Sequence, residues 1–171
     1  DVAFPTGAPD SASSLIDGAL LYDPRKDSTN GGSGSHRKDT PSTWEFSRNW
    51  ALGIRWLLTG GSVVNDQATR LVRYGLREDD LRIDEAYWIA AANVADETLT
   101  GGNAPPSGDQ PRYRLDLEVS CAQTRREILE QALQAGAGTL VYVHGKWRLY
   151  AGAYDAPAHS FTQDDLRGEM E

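Results

Sequence analysis

Residues 124–150 read TRREILEQALQAGAGTLVYVHGKWRLY and predict one helix followed by one hairpin. Thr124 and Glu127 have the spacing of a capping box, in which the threonine hydroxyl and the glutamate carboxylate each bind the backbone amide of the other residue. The apolar side chains that follow recur at helical spacing and predict a buried stripe: Ile128, Leu129, Ala132 and Leu133. A glycine at 136 or 138 ends the helix.

Strands are predicted on both sides of this helix. Residues 140–143 and 147–150 flank His144-Gly145, a pair suited to a tight hairpin turn. Before the helix, charged residues alternate with apolar ones, the pattern of a strand with one face in water. The apolar set is Tyr113, Leu115, Leu117 and Val119. The C-terminal part is therefore predicted to be a β-α-β-β unit of the α+β class.

The N-terminal part is predicted to begin with a hairpin and to continue with helices. Asp17-Gly18 favours a two-residue turn between Leu15-Ile16 and residues 19–22. Residues 28–35, STNGGSGS, are too rich in glycine and serine to pack, so we expect a mobile loop.

The first predicted helix spans 49–59. Ser47 or Asn49 is its candidate cap, and Gly60-Gly61 ends it. Its inward stripe is predicted from helical spacing: Trp50, Ile54, Leu57 and Leu58. Two further helices are expected. Residues 65–74 are a weaker candidate, and Asp84 caps a helix from Glu85 to about Leu99.

A stretch rich in glycine and proline at 100–111 is the best internal boundary. It separates 1–107, the hairpin and helical part, from 108–160, the β-α-β-β subdomain. Residues 161–171 are predicted to be a frayed tail or the start of a next domain. The chain begins with Asp1 and its single methionine is Met170, so we expect an internal segment of a longer protein.

The charge balance excludes some classes of partner. The 171 residues carry a formal net charge of −8, whereas nucleic acids and anionic membranes are bound through basic surfaces. No apolar run has the length of a membrane span. We therefore predict no direct nucleic-acid binding and no membrane span.

Catalytic and metal chemistry find little support. The histidines and the single cysteine are too scattered for a short-range zinc motif: His36, His144, His159 and Cys121. Cys121 has no visible base partner and is better explained as a small residue in the strand–helix joint. The prediction is no catalytic residue, no metal and no cofactor.

Four tryptophans cluster around two of the predicted helices: Trp44, Trp50, Trp56 and Trp88. The first helix is apolar on more than one side, because Leu52 and Trp56 lie outside its main stripe. Either this helix is fully buried, or these tryptophans form an interface with another chain. The sequence leaves both interpretations open.

Several blocks, in order along the chain, resemble the tail tip attachment (host specificity) proteins of long-tailed phages and prophages. The main blocks are Phe4-Pro5-x-Gly7-x-Pro9, Gly18-x-x-x-Tyr22-Asp23-Pro24-Arg25, Thr43-Trp44-x-x-Ser47-x-Asn49-x-Ala51-Leu52, Ala90-Ala91-Ala92-Asn93-Val94-Ala95-Asp96-Glu97 and Gly145-Lys146-Trp147-Arg148-Leu149. That family commonly has cysteine at the positions of Gly53 and Ala95, departures that concern packing.

The resemblance implies a hub-like domain with a structural role in tail assembly, host attachment and DNA delivery. Such proteins form homotrimers at the virion's tail tip, contact tail tube and tip proteins, and reach a host surface receptor through the longer chain. Motif residues are expected to fix a turn and a helix start, with no catalytic role: Asp23, Pro24, Arg25, Ser47, Asn49 and Asn93.

Two other functions stay open. The first is a receptor- or carbohydrate-binding module, for which exposed tryptophans or the loops at 28–35 and 100–111 are the support. The second, less favoured, is a hydrolase of cell-wall glycans. Glu97 or Glu127 would then face a second carboxylate in a cleft, although a helix surface and a helix cap explain these two residues more simply.

Overall fold

The computed structural model describes residues 18–60, 62–64, 71–73, 76, 80–100, 109–119 and 122–153. The three α-helices in these ranges are α1 (Trp50–Thr59), α2 (Glu85–Asp96) and α3 (Arg125–Ala135). Short strands pair as antiparallel two-stranded sheets: β1 (Leu20–Leu21) with β2 (Glu45–Phe46), β3 (Ser62–Val64) with β4 (Leu71–Arg73), β5 (Thr98–Leu99) with β6 (Gln110–Pro111), and β7 (Thr139–Val143) with β8 (Lys146–Tyr150). This mixture of helices and small antiparallel sheets is compatible with the predicted α+β class.

Helix α1 lies at the centre of the hydrophobic core. Its predicted inward residues are all buried, and Ala51, Leu52 and Arg55 are buried as well. It packs against both α2 and α3, so side chains from both sides of the predicted boundary at 107 join one core. None of the helices in the described ranges combines the length and apolarity needed to cross a bilayer.

The C-terminal helix and hairpin match their prediction. Both bonds of the capping box form, with Thr124 Oγ1 accepting from the Glu127 amide and Glu127 Oε2 accepting from the Thr124 amide. Strands β7 and β8 pair in register across His144-Gly145. Both turn residues have positive φ, 53° and 79°, as this tight turn requires.

Two predictions in the middle of the chain are wrong in part. Residues 71–73 are strand β4 and not the end of a helix, because pairing with β3 outweighs a weak helical pattern. Helix α2 ends at Asp96, and Leu99 belongs to β5. The rest of the weak helical candidate, at 65–70, lies outside the described residues.

The alternating segment 113–119 is extended but is not a sheet strand. Its apolar side chains are half-buried, while Arg114, Asp116 and Glu118 are exposed, as the alternation predicts. Its backbone partner is the start of α1, since the Leu115 amide donates to the Arg48 carbonyl at 2.9 Å and Asn49 forms a bridge with Arg114. The predicted first strand of the β-α-β-β unit is therefore wrong, and the helix and hairpin are confirmed.

The loop at 28–35 is closed by hydrogen bonds. Asp27 and Ser35 form an antiparallel bridge, and the Gly32 amide donates to the Asp27 carbonyl at 2.9 Å. A side chain at Gly32 would overlap the backbone of the preceding turn, so glycine permits this close approach. The predicted N-terminal hairpin has its first strand outside the described residues.

Candidate interaction surface

The Asp23-Pro24-Arg25 motif forms a turn that is bound to α2. Asp23 accepts from the Arg25 backbone amide at 3.0 Å and pairs with its guanidinium at 2.8 Å. The same guanidinium donates to Asn93 Oδ1 at 3.1 Å and to Asp96 Oδ2 at 2.8 Å. The motif therefore fixes a turn, as the sequence predicts, and also connects that turn to the last helical turn of α2.

The Ser47-x-Asn49 motif begins α1 and also contacts α2. The Asn49 amide donates to Ser47 Oγ at 3.1 Å. Asn49 Oδ1 accepts from the amides of Ala51 and Leu52, while Asn49 Nδ2 donates to the Ala92 carbonyl at 2.9 Å. One buried side chain thus caps α1 and ties it to α2. Three separate sequence blocks meet on α2 in this way.

The four candidate interface tryptophans occupy different environments. Trp50 and Trp88 are 0% and 2% exposed, and their indole nitrogens donate to the carbonyls of Ala132 and Trp147. These two belong to the core of this chain, which is one of the two interpretations that the sequence leaves open. Trp44 is half-buried against Tyr22 and donates to the Arg37 carbonyl at 2.9 Å.

Trp56 is the tryptophan that lines an open surface. It borders an apolar groove of about 620 Å³ between α1, the β1–β2 sheet and the extended segment 115–119. We call this the α1 groove. Its apolar lining includes Phe46, Trp56, Leu57, Leu115, Leu117 and Val119.

The rim of the α1 groove is charged. Arg48 forms an ion pair with Asp116, and hydrogen bonding to Arg48 lowers the pKa of the Asp116 carboxyl below its usual range. Glu118 is exposed beside it. An apolar floor with a polar rim is the arrangement found in protein interfaces. Chemically, the α1 groove suits apolar side chains of a protein partner.

Gly53 lies on the α1 groove, beside Leu115. A Cβ at this position would contact the end of the Leu115 side chain. Leu115 therefore occupies the space that a larger residue on α1 would need.

A second cleft, of about 570 Å³, is polar. It lies between the loop at 27–40 and residues 81–85, and its wall includes Asp27, Asn30 and Lys146. Asp27 is 1% exposed and accepts from Thr29, Tyr22 and Arg37. Burial and the Asp27 carboxylate raise the pKa of Tyr22, so its hydroxyl stays protonated and donates to Asp27.

The residues considered for catalysis are engaged structurally or stand apart. Glu127 belongs to the capping box, and hydrogen bonds from Thr124 lower its pKa. Glu97 accepts from Arg112 at 2.8 Å. His144 is exposed in the turn, whereas His36 is buried and accepts from the Asp23 amide at 3.2 Å through Nδ1. Cys121 and His159 lie outside the described residues.

Metal-ligating residues do not gather in the part of the chain that the structure describes. There, no group of three or more histidine, cysteine or acidic side chains is placed to hold an ion.

Sequence reasoning missed the α1 groove because alternation at 113–119 shows which side chains are buried but not what they face. The apolar residue Trp56 outside the α1 stripe was the available signal.

Comparison with known proteins adds no relative. The chain matches no family model, and no curated protein matches it.

Proposed function

We propose that this chain is a structural, hub-like part of the tail tip of a long-tailed phage or prophage. The observation that carries the proposal is the meeting of the resembling blocks. Asp23, Arg25 and Asn93 are hydrogen-bonded together, and Asn49 binds α2 close by, at Ala92. Residues chosen by resemblance, far apart in sequence, thus form one connected framework. That framework is what a shared fold requires.

The proposed setting is the virion. The longer protein forms a homotrimer at the distal end of the tail, contacts tail tube and tip proteins, and reaches the host receptor through other parts of its chain. The role is structural, in assembly, attachment and DNA delivery, and not enzymatic. A net charge of −8 suits a wall that DNA passes without binding.

The α1 groove is the proposed contact with a neighbouring tail protein or subunit. Its test is a pair of charge substitutions in the phage-encoded protein. Phe46→Glu places a carboxylate on the apolar lining, where Phe46 is 40% exposed. Ala90→Glu adds the same charge on the exposed face of α2, away from the α1 groove and from the polar cleft.

We expect Phe46→Glu to abolish tip assembly and infectivity, and Ala90→Glu to leave both unchanged. Thermal unfolding of the isolated chain checks that the Phe46 variant folds. If it does not, Phe46→Ser removes the apolar ring without adding a charge. Normal virions from a folded Phe46 variant would contradict this role for the groove.

A carbohydrate-binding module is the second candidate, and the polar cleft favours it. The cleft presents hydroxyl, amide and charged groups from Thr29, Asn30, Thr40 and Lys146, the groups that bind sugar hydroxyls. Calorimetric titration with host surface glycans tests it. Saturable binding that Asn30→Ala weakens would favour this candidate, and absence of heat would reject it.

A further inference from the structure

Strand β7 has one edge without a partner in the described part of the chain. The two-residue turn at His144-Gly145 makes Val143 and Lys146 a hydrogen-bonded pair. Bonded positions alternate along an antiparallel ladder, so Val141 and Thr139 also bond to β8. The amides and carbonyls of Leu140 and Tyr142 therefore point away from β8. Neither residue has another backbone hydrogen bond among the described residues.

This free edge has none of the usual features that block strand pairing. Natural edge strands carry lysine, proline, a bulge or an inward charge. Residues 139–143 read TLVYV and contain no charge and no proline, and the ladder with β8 runs without a bulge. Tyr142 is 49% exposed. The centroid of its ring lies 4.8 Å from the centroid of the Trp147 ring, so the two rings pack together at the edge.

We propose that the free edge of β7 pairs with β7 of a second copy of this chain, antiparallel about a twofold axis at Val141. In this register, Leu140 of each copy lies opposite Tyr142 of the other copy. Their free amides and carbonyls then form four hydrogen bonds, so every outward group of the strand is satisfied. The two Leu–Tyr cross-strand pairs add apolar contact on the same face.

The shape of the strand fits a second copy, and no charge on the strand itself opposes the pairing. No charged residue of β7 meets its counterpart, because the strand has none. Beyond the ladder, Gly138 lies opposite His144 of the second copy, so the bulkier turn residue meets a glycine. The positive φ of Ala137, 46°, bends the chain away and ends the ladder there. The strand is thus complementary to itself at this register.

The contact is small, so the association is weak. A five-residue edge pair buries much less than the roughly 1,600 Å² of a standard stable interface. We expect a monomer–dimer equilibrium between micromolar and millimolar concentrations. Each copy carries −8, so added salt strengthens the dimer by screening the repulsion. This twofold contact is separate from the proposed trimer and does not depend on the tail assignment.

The test uses opposite charges at the twofold position, in the full 171-residue chain. Val141→Lys and Val141→Glu each place like charges directly opposite each other, and each should weaken dimerisation by about tenfold or more. An equimolar mixture of the two variants should dimerise again, because the lysine of one copy then faces the glutamate of the other. Sedimentation velocity over a concentration series measures all three samples.

Ala90→Lys is the matched control. It adds the same charge on the exposed face of α2, a helix that packs on β8. Its dimerisation should equal that of the unsubstituted chain. Recovery in the mixture also shows that both Val141 variants are folded.

A cross-link tests the register independently. In a Cys121→Ser background, Val141→Cys should form a disulfide dimer, since facing non-bonded residues have Cα atoms about 4.5 Å apart. Val143→Cys should not, because Thr139 is its counterpart. A chain that stays monomeric at millimolar concentration would overturn the proposal. So would dimerisation that both Val141 charge variants leave unchanged, or equal cross-linking at 141 and 143.

Discussion

Arg25 Nη2 lies 2.8 Å from Asp96 Oδ2, which connects the turn at 24–26 to the end of α2 across 71 residues of sequence. The same guanidinium holds Asp23, which is 4% exposed. Hydrogen bonding to Asp23 raises the pKa of Arg25 further above its usual value. The turn and the helix are therefore joined through one side chain.

Replacing Arg25 with glutamine should destabilise the fold. The buried Asp23 carboxylate loses its charge partner, a loss on the order of 1–3 kcal/mol in the free energy of unfolding. Arg126→Gln is the control, since that guanidinium is 87% exposed and pairs with Glu130 on the surface of α3. Its effect should stay within about 0.5 kcal/mol. Urea denaturation measures both, and equal effects would contradict a structural role for the Arg25 network.

Asn49 contributes as a cap and as a tie to α2, and the two roles can be separated. Asn49→Ser keeps a cap acceptor but loses the bond to the Ala92 carbonyl. Asn49→Ala loses both, and it should be about 1–2 kcal/mol less stable than the serine variant, which keeps its cap. We expect stability in the order Asn, Ser, Ala by urea denaturation. If the serine variant is as stable as the unsubstituted chain, the hydrogen bond from Asn49 to the Ala92 carbonyl does not contribute to stability.

Gly138 is expected to tolerate no side chain. A Cβ there would overlap the ring of Trp50, which is 0% exposed and fixed by its bond to Ala132. Gly138→Ala should cost about 1–3 kcal/mol through overpacking and should change the near-ultraviolet circular dichroism of the buried indole. Gly145→Asn is the control, because a Cβ at Gly145 has open space around it and asparagine accepts positive φ. An unchanged spectrum and stability for Gly138→Ala would contradict the packing.

Local signals in the sequence predict the features that depend on neighbouring residues. The caps at Asn49 and Thr124 and the turn at His144 each follow from side chains within a few positions. The motif Asp23-Pro24-Arg25 forms a turn, and Ser47 and Asn49 begin a helix, as the sequence predicts. The sequence therefore predicts α1, α3 and the β7–β8 hairpin.

Features that depend on distant partners are the ones that local patterns miss. The alternation at 113–119 shows which side chains are buried, yet its partner is the start of α1 and not a sheet. From the sequence, Trp50 and Trp88 could lie in the core or at an interface. Helical spacing does not show that α3 and β8 bury them. The α1 groove follows from these same distant contacts.

Acid should destabilise the loop at 27–37 through Asp27. Bonds from Thr29, together with Tyr22 and Arg37, lower the pKa of Asp27 to about 2. Its unfolded value is about 4, so its stabilising contribution is present above about pH 4 and is lost as the pH falls through about 2. The Asp27→Asn variant lacks this carboxylate. Its free energy of unfolding should therefore fall less than that of the unsubstituted chain as the pH is lowered from about 4 to about 2. Urea unfolding at several pH values measures this difference. The assignment would be contradicted if the free energy of unfolding changed with pH in the same way for the variant and the unsubstituted chain.

The central claim is a place at the tail tip, and immunogold electron microscopy tests it most directly. Antibodies raised against this chain are applied to particles induced from the strain that encodes it, and a blot of the same purified particles reports whether the chain is present. The account predicts gold at the distal end of the tails. Intact tailed particles that lack the chain on the blot, or that carry gold only on the head, would contradict it.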